Sequence, residues 1–171
     1  RTFGASVMPD ASAEIAEGER FLSRLDYDQA YSQFRAAAKK DPENAYAHFC
    51  QAESALGVND AEPGDIASLY QRAVELEPDN PQYLNAYGLF CIDIGRFKQA
   101  EEAFNHAAEV DEENAALYYS DFAVNYYRQA PVVMAQYMDA TTERMIAKKA
   151  VDYLLKALDM TEEEMRSLLA E

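Results

Sequence analysis

Apolar residues along this chain recur at spacings of three and four, the period of a helix with one buried face, and the pattern predicts helices throughout. The stretch GRFKQAEEAFNHAAEVDEEN at 95–114 shows it best. Phe97, Ala100, Phe104 and Ala107 share a face, yet Ala stands where Leu would bury more surface, so a closely pressed neighbour must demand small residues beside one large ring. The same spacing holds Tyr27, Ala30, Phe34 and Ala37, 70 residues earlier. Between them, Tyr70 and Ala73 stand 36 residues after Phe34 and Ala37 and 34 before Phe104 and Ala107. The punctuation recurs as well: DPEN at 41–44, EPDN at 77–80 and DEEN at 111–114 each end in an Asn placed to cap the next helix.

A period near 34 residues with Gly, Ala, a large aromatic, Ala and Pro at fixed offsets resembles the tetratricopeptide repeat (TPR) family. The resemblance implies an all-α fold, a right-handed superhelical solenoid of stacked helix-turn-helix repeats closed by a C-terminal capping helix. Residues 1–10 then form a leader segment, and 11–44 a first repeat carrying Gly18, Phe21, Tyr27, Ala30, Phe34, Ala37 and Pro42 at the family's marked places. The second repeat, 45–80, is two residues longer, with GVNDAEPGD in place of a tight turn. The third, 81–114, carries Tyr87, Gly88, Gly95, Phe97, Ala100, Phe104 and Ala107.

The fourth repeat, 115–160, is irregular. Ala150, Leu154 and Ala157 arrive 50 residues after Ala100, Phe104 and Ala107, and removing one period leaves 16 inserted residues, placed near 129–144. Pro131 disfavours simple continuation of a helix there. The insertion's APVVMAQYMDA is too apolar for a free linker and should pack, either over the end of the binding groove beside Tyr126 or between protomers. Beyond it, Thr161 and Glu164 have capping-box spacing and Met165, Leu168 and Leu169 form an apolar stripe, so 161–171 reads as a helix that covers the end of the solenoid.

Charge narrows the partners. With 31 acidic against 15 basic residues the net charge is −16, which repels nucleic-acid phosphate and anionic membrane surfaces and favours basic partners. The aromatic run YYSDFAVNYYRQA at 118–130 could stack on bases, but the surrounding charge opposes it. No uncharged run approaches the ~18 residues of a membrane span. Two cysteines, Cys50 and Cys91, give neither a disulfide framework nor metal-ligand spacing, which favours a reducing, cytoplasmic setting. The chain opens on Arg, as a trimmed or processed product would, and an upstream signal would instead point to an envelope-anchored protein.

In the family it resembles, first helices of successive repeats line a concave groove. The matching positions here give Ile15, Glu19 and Leu22; Tyr46, Phe49 and Glu53; Asn85, Leu89 and Ile92; and Tyr119, Ala123 and Tyr126. That surface is apolar and aromatic with two carboxylates and no Lys or Arg, which suits a protein or peptide with hydrophobic anchors and some positive charge. Residues 1–10 or the insertion could fill part of it. The carboxylate clamp of co-chaperone members, built of Lys, Arg and Asn, is excluded, because the matching places hold Ile15, Glu19, Cys50, Gln82 and Ala86, with none of the positive charge it needs.

Catalysis has little to stand on. His48 and His106 are the only histidines, with no phosphate loop, dinucleotide fingerprint or metalloprotease spacing, and the acidic loop with Asp60, Glu62 and Asp65 lacks calcium-loop order. The sequence therefore points to a non-enzymatic protein-interaction module needing no cofactor or metal, of undetermined oligomeric state. The alternative is a bacterial secretion chaperone or an envelope assembly factor of the same repeat type.

Overall fold

The structure, a computed structural model, describes residues 10–170. The leader expected at 1–10, and any part it has in filling the groove, lies outside the described residues except for Asp10. Among the described residues all regular structure is helical: α1 (Ser12–Leu22), α2 (Tyr27–Lys40), α3 (Ala45–Ala55), α4 (Pro63–Leu76), α5 (Pro81–Asp93), α6 (Phe97–Val110), α7 (Ala115–Val133), α8 (Ala140–Ala157) and α9 (Glu162–Leu169), with short 3₁₀ turns at Glu112–Asn114 and Ala135–Tyr137. The chain divides into two compact units, one up to Pro78 and one from Asp79 onward.

In unit 1, α1 pairs with α2, α2 with α3 and α3 with α4. The small residues of the repeat pattern are why these helices can approach. Ala30, Phe34 and Ala37 on α2 are fully buried, and a Cβ added at Gly18 of α1 would come within 2.8 Å of the Phe34 ring. Asn44 caps α3 by accepting from the Ala47 amide at 3.0 Å. Pro63 opens α4 at a position where its missing N–H costs nothing.

Unit 2 repeats the device. On α6, Ala100, Phe104 and Ala107 are fully buried, and Asn80 caps α5 through the amides of Gln82 and Tyr83. Asn114 departs from the expectation. Its side chain makes no cap bond to α7; its amide donates to the Asp111 carboxylate at 3.0 Å inside the 3₁₀ turn. The third punctuation segment lacks the Pro of the first two, and a 3₁₀ turn takes its place.

The fourth repeat absorbs its extra residues by lengthening helices. α7 has 19 residues where α5 has 13, and α8 has 18 where α6 has 14. Pro131 does not end α7, which continues through it to Val133: the proline forgoes its own bond to the residue four earlier, and the pattern resumes after it with the Met134 amide donating to the Ala130 carbonyl at 2.9 Å. The extension lies against the turn between α5 and α6. Gln129 Nε2 donates to the Asp93 carbonyl at 3.3 Å, and a Cβ on Gly95 would meet Val133 Cγ1 at 2.6 Å. Gly95 also has φ 78°, so no other residue type would be comfortable there.

On α8, Ala150 is buried as expected, but the large side chain turned inward is one position earlier than expected. Tyr153 is buried and packs its ring 4.4 Å from that of Phe122, whereas Leu154, expected in the core, is exposed. One residue rotates a helix face by about 100°, enough to exchange inside for outside. The capping box of α9 is formed, Thr161 Oγ1 accepting from the Glu164 amide and Glu164 accepting from the Thr161 amide. None of its residues is buried, and Leu168 and Leu169 lie exposed rather than covering a neighbouring face.

Candidate functional site

The first helix of each repeat carries the candidate binding residues, and the two units place them differently. In unit 1, Ile15, Glu19 and Leu22 follow one side of α1, each at least partly accessible, with Ile15 resting on a buried cluster of Ala11, Ala37, Ala38 and Ala47. Exposed Glu19 accepts a hydrogen bond from the Tyr46 hydroxyl at 2.8 Å, linking α1 to α3 across the candidate surface. Tyr46 itself is 40% exposed. Further along α3, Phe49 is buried, edge-on to Tyr70 at 6.1 Å, and half-buried Glu53 accepts the Tyr70 hydroxyl at 2.6 Å. Burial, then the bond to Glu53, pushes the Tyr70 phenol well above its ordinary range.

In unit 2, Asn85 and Leu89 are half-buried on α5, one turn apart on the same face, and Ile92 beyond them is buried. The Oδ1 of Asn85 is buried and has no hydrogen-bond partner, an unusual condition for an amide oxygen. On α7, Tyr119 is half-buried beside Tyr153, with the Lys156 ammonium 5.6 Å from its ring. Ala123 and Tyr126 are buried, Tyr126 stacked on Phe122 and edge-on to Phe97, each at 5.3 Å.

The twelve candidates thus separate by access. Ile15, Glu19, Leu22, Tyr46, Glu53, Asn85, Leu89 and Tyr119 remain reachable from solvent, while Phe49, Ile92, Ala123 and Tyr126 are occupied by packing inside their own units. Repeat position alone could not separate them, because a large ring on a first helix can reach the second helix of its own hairpin, as Phe49 reaches Tyr70.

One feature of unit 2 escaped sequence reasoning. An apolar groove of about 420 Å³ runs between α7 and α8, lined by Ala123, Val124, Tyr127, Arg128, Ala147, Ala150, Val151 and Leu154. Its signal was present in the pairs Val124/Tyr127 and Val151/Leu154, each three apart, but assigning Leu154 to the core hid it.

The potential catalytic groups are engaged in structural bonds. His48 Nε2 lies 2.9 Å from the Pro42 carbonyl, and His106 Nε2 lies 3.0 Å from Asp79. Burial pushes the Cys50 thiol up to about 11, and burial likewise raises Cys91, so neither is a ready nucleophile at neutral pH. Among the described residues no cluster of three or more His, Cys, Asp or Glu could hold a metal ion, and no helix is long and apolar enough to cross a membrane.

Comparison with known proteins agrees with this geometry. Two family models described as tetratricopeptide repeat match residues 15–81 and 69–102. No curated protein matches the chain in sequence. Among solved structures, a crystal structure of MamA is similar at TM-score 0.68 and 16% identity, over 93% of this chain and 81% of that one. A second crystal structure of MamA protein is similar at TM-score 0.61, also at 16% identity, over 91% of this chain and 94% of that one. At such identity the likeness speaks for the fold, an all-α array of helix-turn-helix repeats, which typically serves as an interaction scaffold rather than a catalyst. The recurring spacing, the helical hairpins it builds and the two model matches together establish that the chain belongs to the tetratricopeptide repeat family.

Proposed function

We propose that this protein binds a segment of a partner protein on the accessible faces of its first helices. The repeat family supports a protein-protein interaction module. The observation that carries the finer reading is the set of accessible side chains on the first helices: Ile15, Glu19, Leu22 and Tyr46 in unit 1, Leu89 and Tyr119 in unit 2. Leu89 and Tyr119, both half-buried, provide the apolar surface of unit 2 that such a segment would cover. Ile15 and Leu22 provide apolar contacts in unit 1, and Glu19 supplies the negative charge that a basic residue would seek. The net charge of −16 steers the choice toward basic segments and away from nucleic acid.

The test is affinity capture from the native cell extract, followed by mass spectrometry, with wild-type protein and two variants. Asn85→Ala with Leu89→Ser should lose the captured partner, whereas Lys98→Ala, on an 86% exposed side chain of α6, should retain it. Full retention by the α5 variant, or loss through the α6 variant, sinks the proposal.

A further inference from the structure

The apolar groove between α7 and α8 lies open, and the same chain carries an apolar stripe on α9 whose Leu168 and Leu169 are exposed while Met165 is half-buried. In the groove, Val124 is 55% exposed, Tyr127 57% and Val151 49%, and these flank small Ala123, Ala147 and Ala150, a channel wide enough for large side chains. On α9, Met165, Leu168 and Leu169 stand at i, i+3 and i+4, the spacing with which a helix lies in a groove, and Leu169 is 80% exposed.

Backbone geometry explains why α9 does not lie across its own groove. Asp159, after α8, has φ 51°, and the Met160 amide donates to the Leu155 carbonyl at 3.0 Å. The same left-handed turn closes the hairpins within repeats: Leu25 after α1 has φ 59° with Asp26 N–H bonded to Phe21, and Gly95 after α5 has φ 78° with Arg96 N–H bonded to Cys91. Passage to a following repeat is made differently. Asp41, Glu77 and Asp111, which lead from α2, α4 and α6, have φ between −128° and −130° with positive ψ. The chain therefore leaves α8 by the turn that closes a hairpin, not by the one that carries a helix across the preceding hairpin. The stripe and the groove that fits it stay apart.

Charge is complementary between the two surfaces. On α8, Lys148 is paired with Asp152 and Lys149 with Glu101 of α6, and the charged side chain that lines the groove is the basic Arg128. α9 opens with Glu162, Glu163 and Glu164. We propose that the α7/α8 groove receives α9 of a second copy of this chain, in a reciprocal dimer whose Leu168 and Leu169 seat beside Val124, Tyr127 and Val151 and whose Glu163 faces Arg128. Each copy covers the other's apolar face, and the contact is isologous, so it closes at two copies.

Sedimentation velocity of the full chain across a concentration series tests this. The wild type should run as a dimer of the 19.2 kDa chain, and Leu168→Ser with Leu169→Ser should raise the dimer dissociation constant by at least ~10-fold, as loss of interface anchors does. A charge exchange guards against a trivial folding defect. Arg128→Glu alone and Glu163→Arg alone each place like charges together and should be monomeric, while an equal mixture of the two pairs opposite charges at both contacts and should form a dimer. A wild type that stays monomeric at every concentration, a dimer indifferent to the leucine changes, or a mixture that does not associate overturns the proposal.

Discussion

Gly88 of α5 lies so close to Phe104 of α6 that a Cβ on the glycine would come 2.8 Å from the ring. Gly18 and Phe34 stand in the same relationship 70 residues earlier. A helix would ordinarily gain about 1 kcal/mol from Ala in place of an interior Gly. Here the ring is fully buried between packed helices and has nowhere to retreat. Gly88→Ala should therefore destabilise by about 1–3 kcal/mol, reversing the propensity sign. Phe104→Ala should cost about 3–5 kcal/mol through the cavity it leaves. Urea denaturation followed by circular dichroism reads both, and a stabilised Gly88→Ala protein would contradict the close approach.

That contact was legible in the sequence, and its legibility has a physical basis. Small residues facing one large ring at a fixed period admit few explanations, so Ala30, Phe34 and Ala37, and their counterparts Ala100, Phe104 and Ala107, could be assigned to the core from spacing alone. The caps at Asn44 and Asn80 and the box at Thr161 and Glu164 were equally readable, because capping is a local affair of three or four residues. Tertiary details were not. Whether Phe49 and Tyr126 face solvent depends on Tyr70 and Phe97, and whether Leu154 or Tyr153 turns inward depends on helix lengths set by α7 and α8 together. The α9 stripe was recognised correctly as apolar, but its direction is set by the backbone at Asp159, and Asp, although one of the non-Gly types that enter the left-handed region more readily, is too common outside it to announce the turn.

Tyr153 anchors the long α8 to α6. Its hydroxyl donates to Glu101 Oε1 at 2.8 Å and accepts from Asn105 Nδ2 at 2.7 Å, while Lys149 Nζ donates to Glu101 Oε2 at 2.6 Å. Removing the hydroxyl leaves the partly buried amide of Asn105 without its acceptor, so Tyr153→Phe should cost about 1–3 kcal/mol. Lys149 is 40% exposed, and Lys149→Ala should cost only about 0–1 kcal/mol. Equilibrium unfolding of both variants checks the order, and a larger loss from Lys149→Ala would be inconsistent with this network.

Alkaline pH should weaken the fold. Burial, with the neighbouring Cys91 adding to it, raises the Tyr87 phenol to about 12; burial and the bond to Asp111 raise Tyr118 to about 12. Unfolded tyrosine ionises near 10, so the stability these groups contribute is complete below about pH 10 and is lost as pH rises from about 10 to 12. The chain has no Trp, which leaves tyrosinate absorbance uncluttered. A melting temperature falling across that interval, with some phenols ionising late, is the expected result; a flat melting temperature with all phenols titrating together near 10 would oppose it.

The central claim is that a partner lies on the first helices of the repeats, and side-chain carbene footprinting of the captured complex tests it most directly. Labelling should fall at Ile15, Leu22 and Tyr46 in unit 1 and at Leu89 and Tyr119 in unit 2, and remain unchanged on exposed side chains of α2, α4 and α6. Protection confined to those second helices, with Ile15, Leu22, Tyr46, Leu89 and Tyr119 labelled as in the free protein, would contradict it.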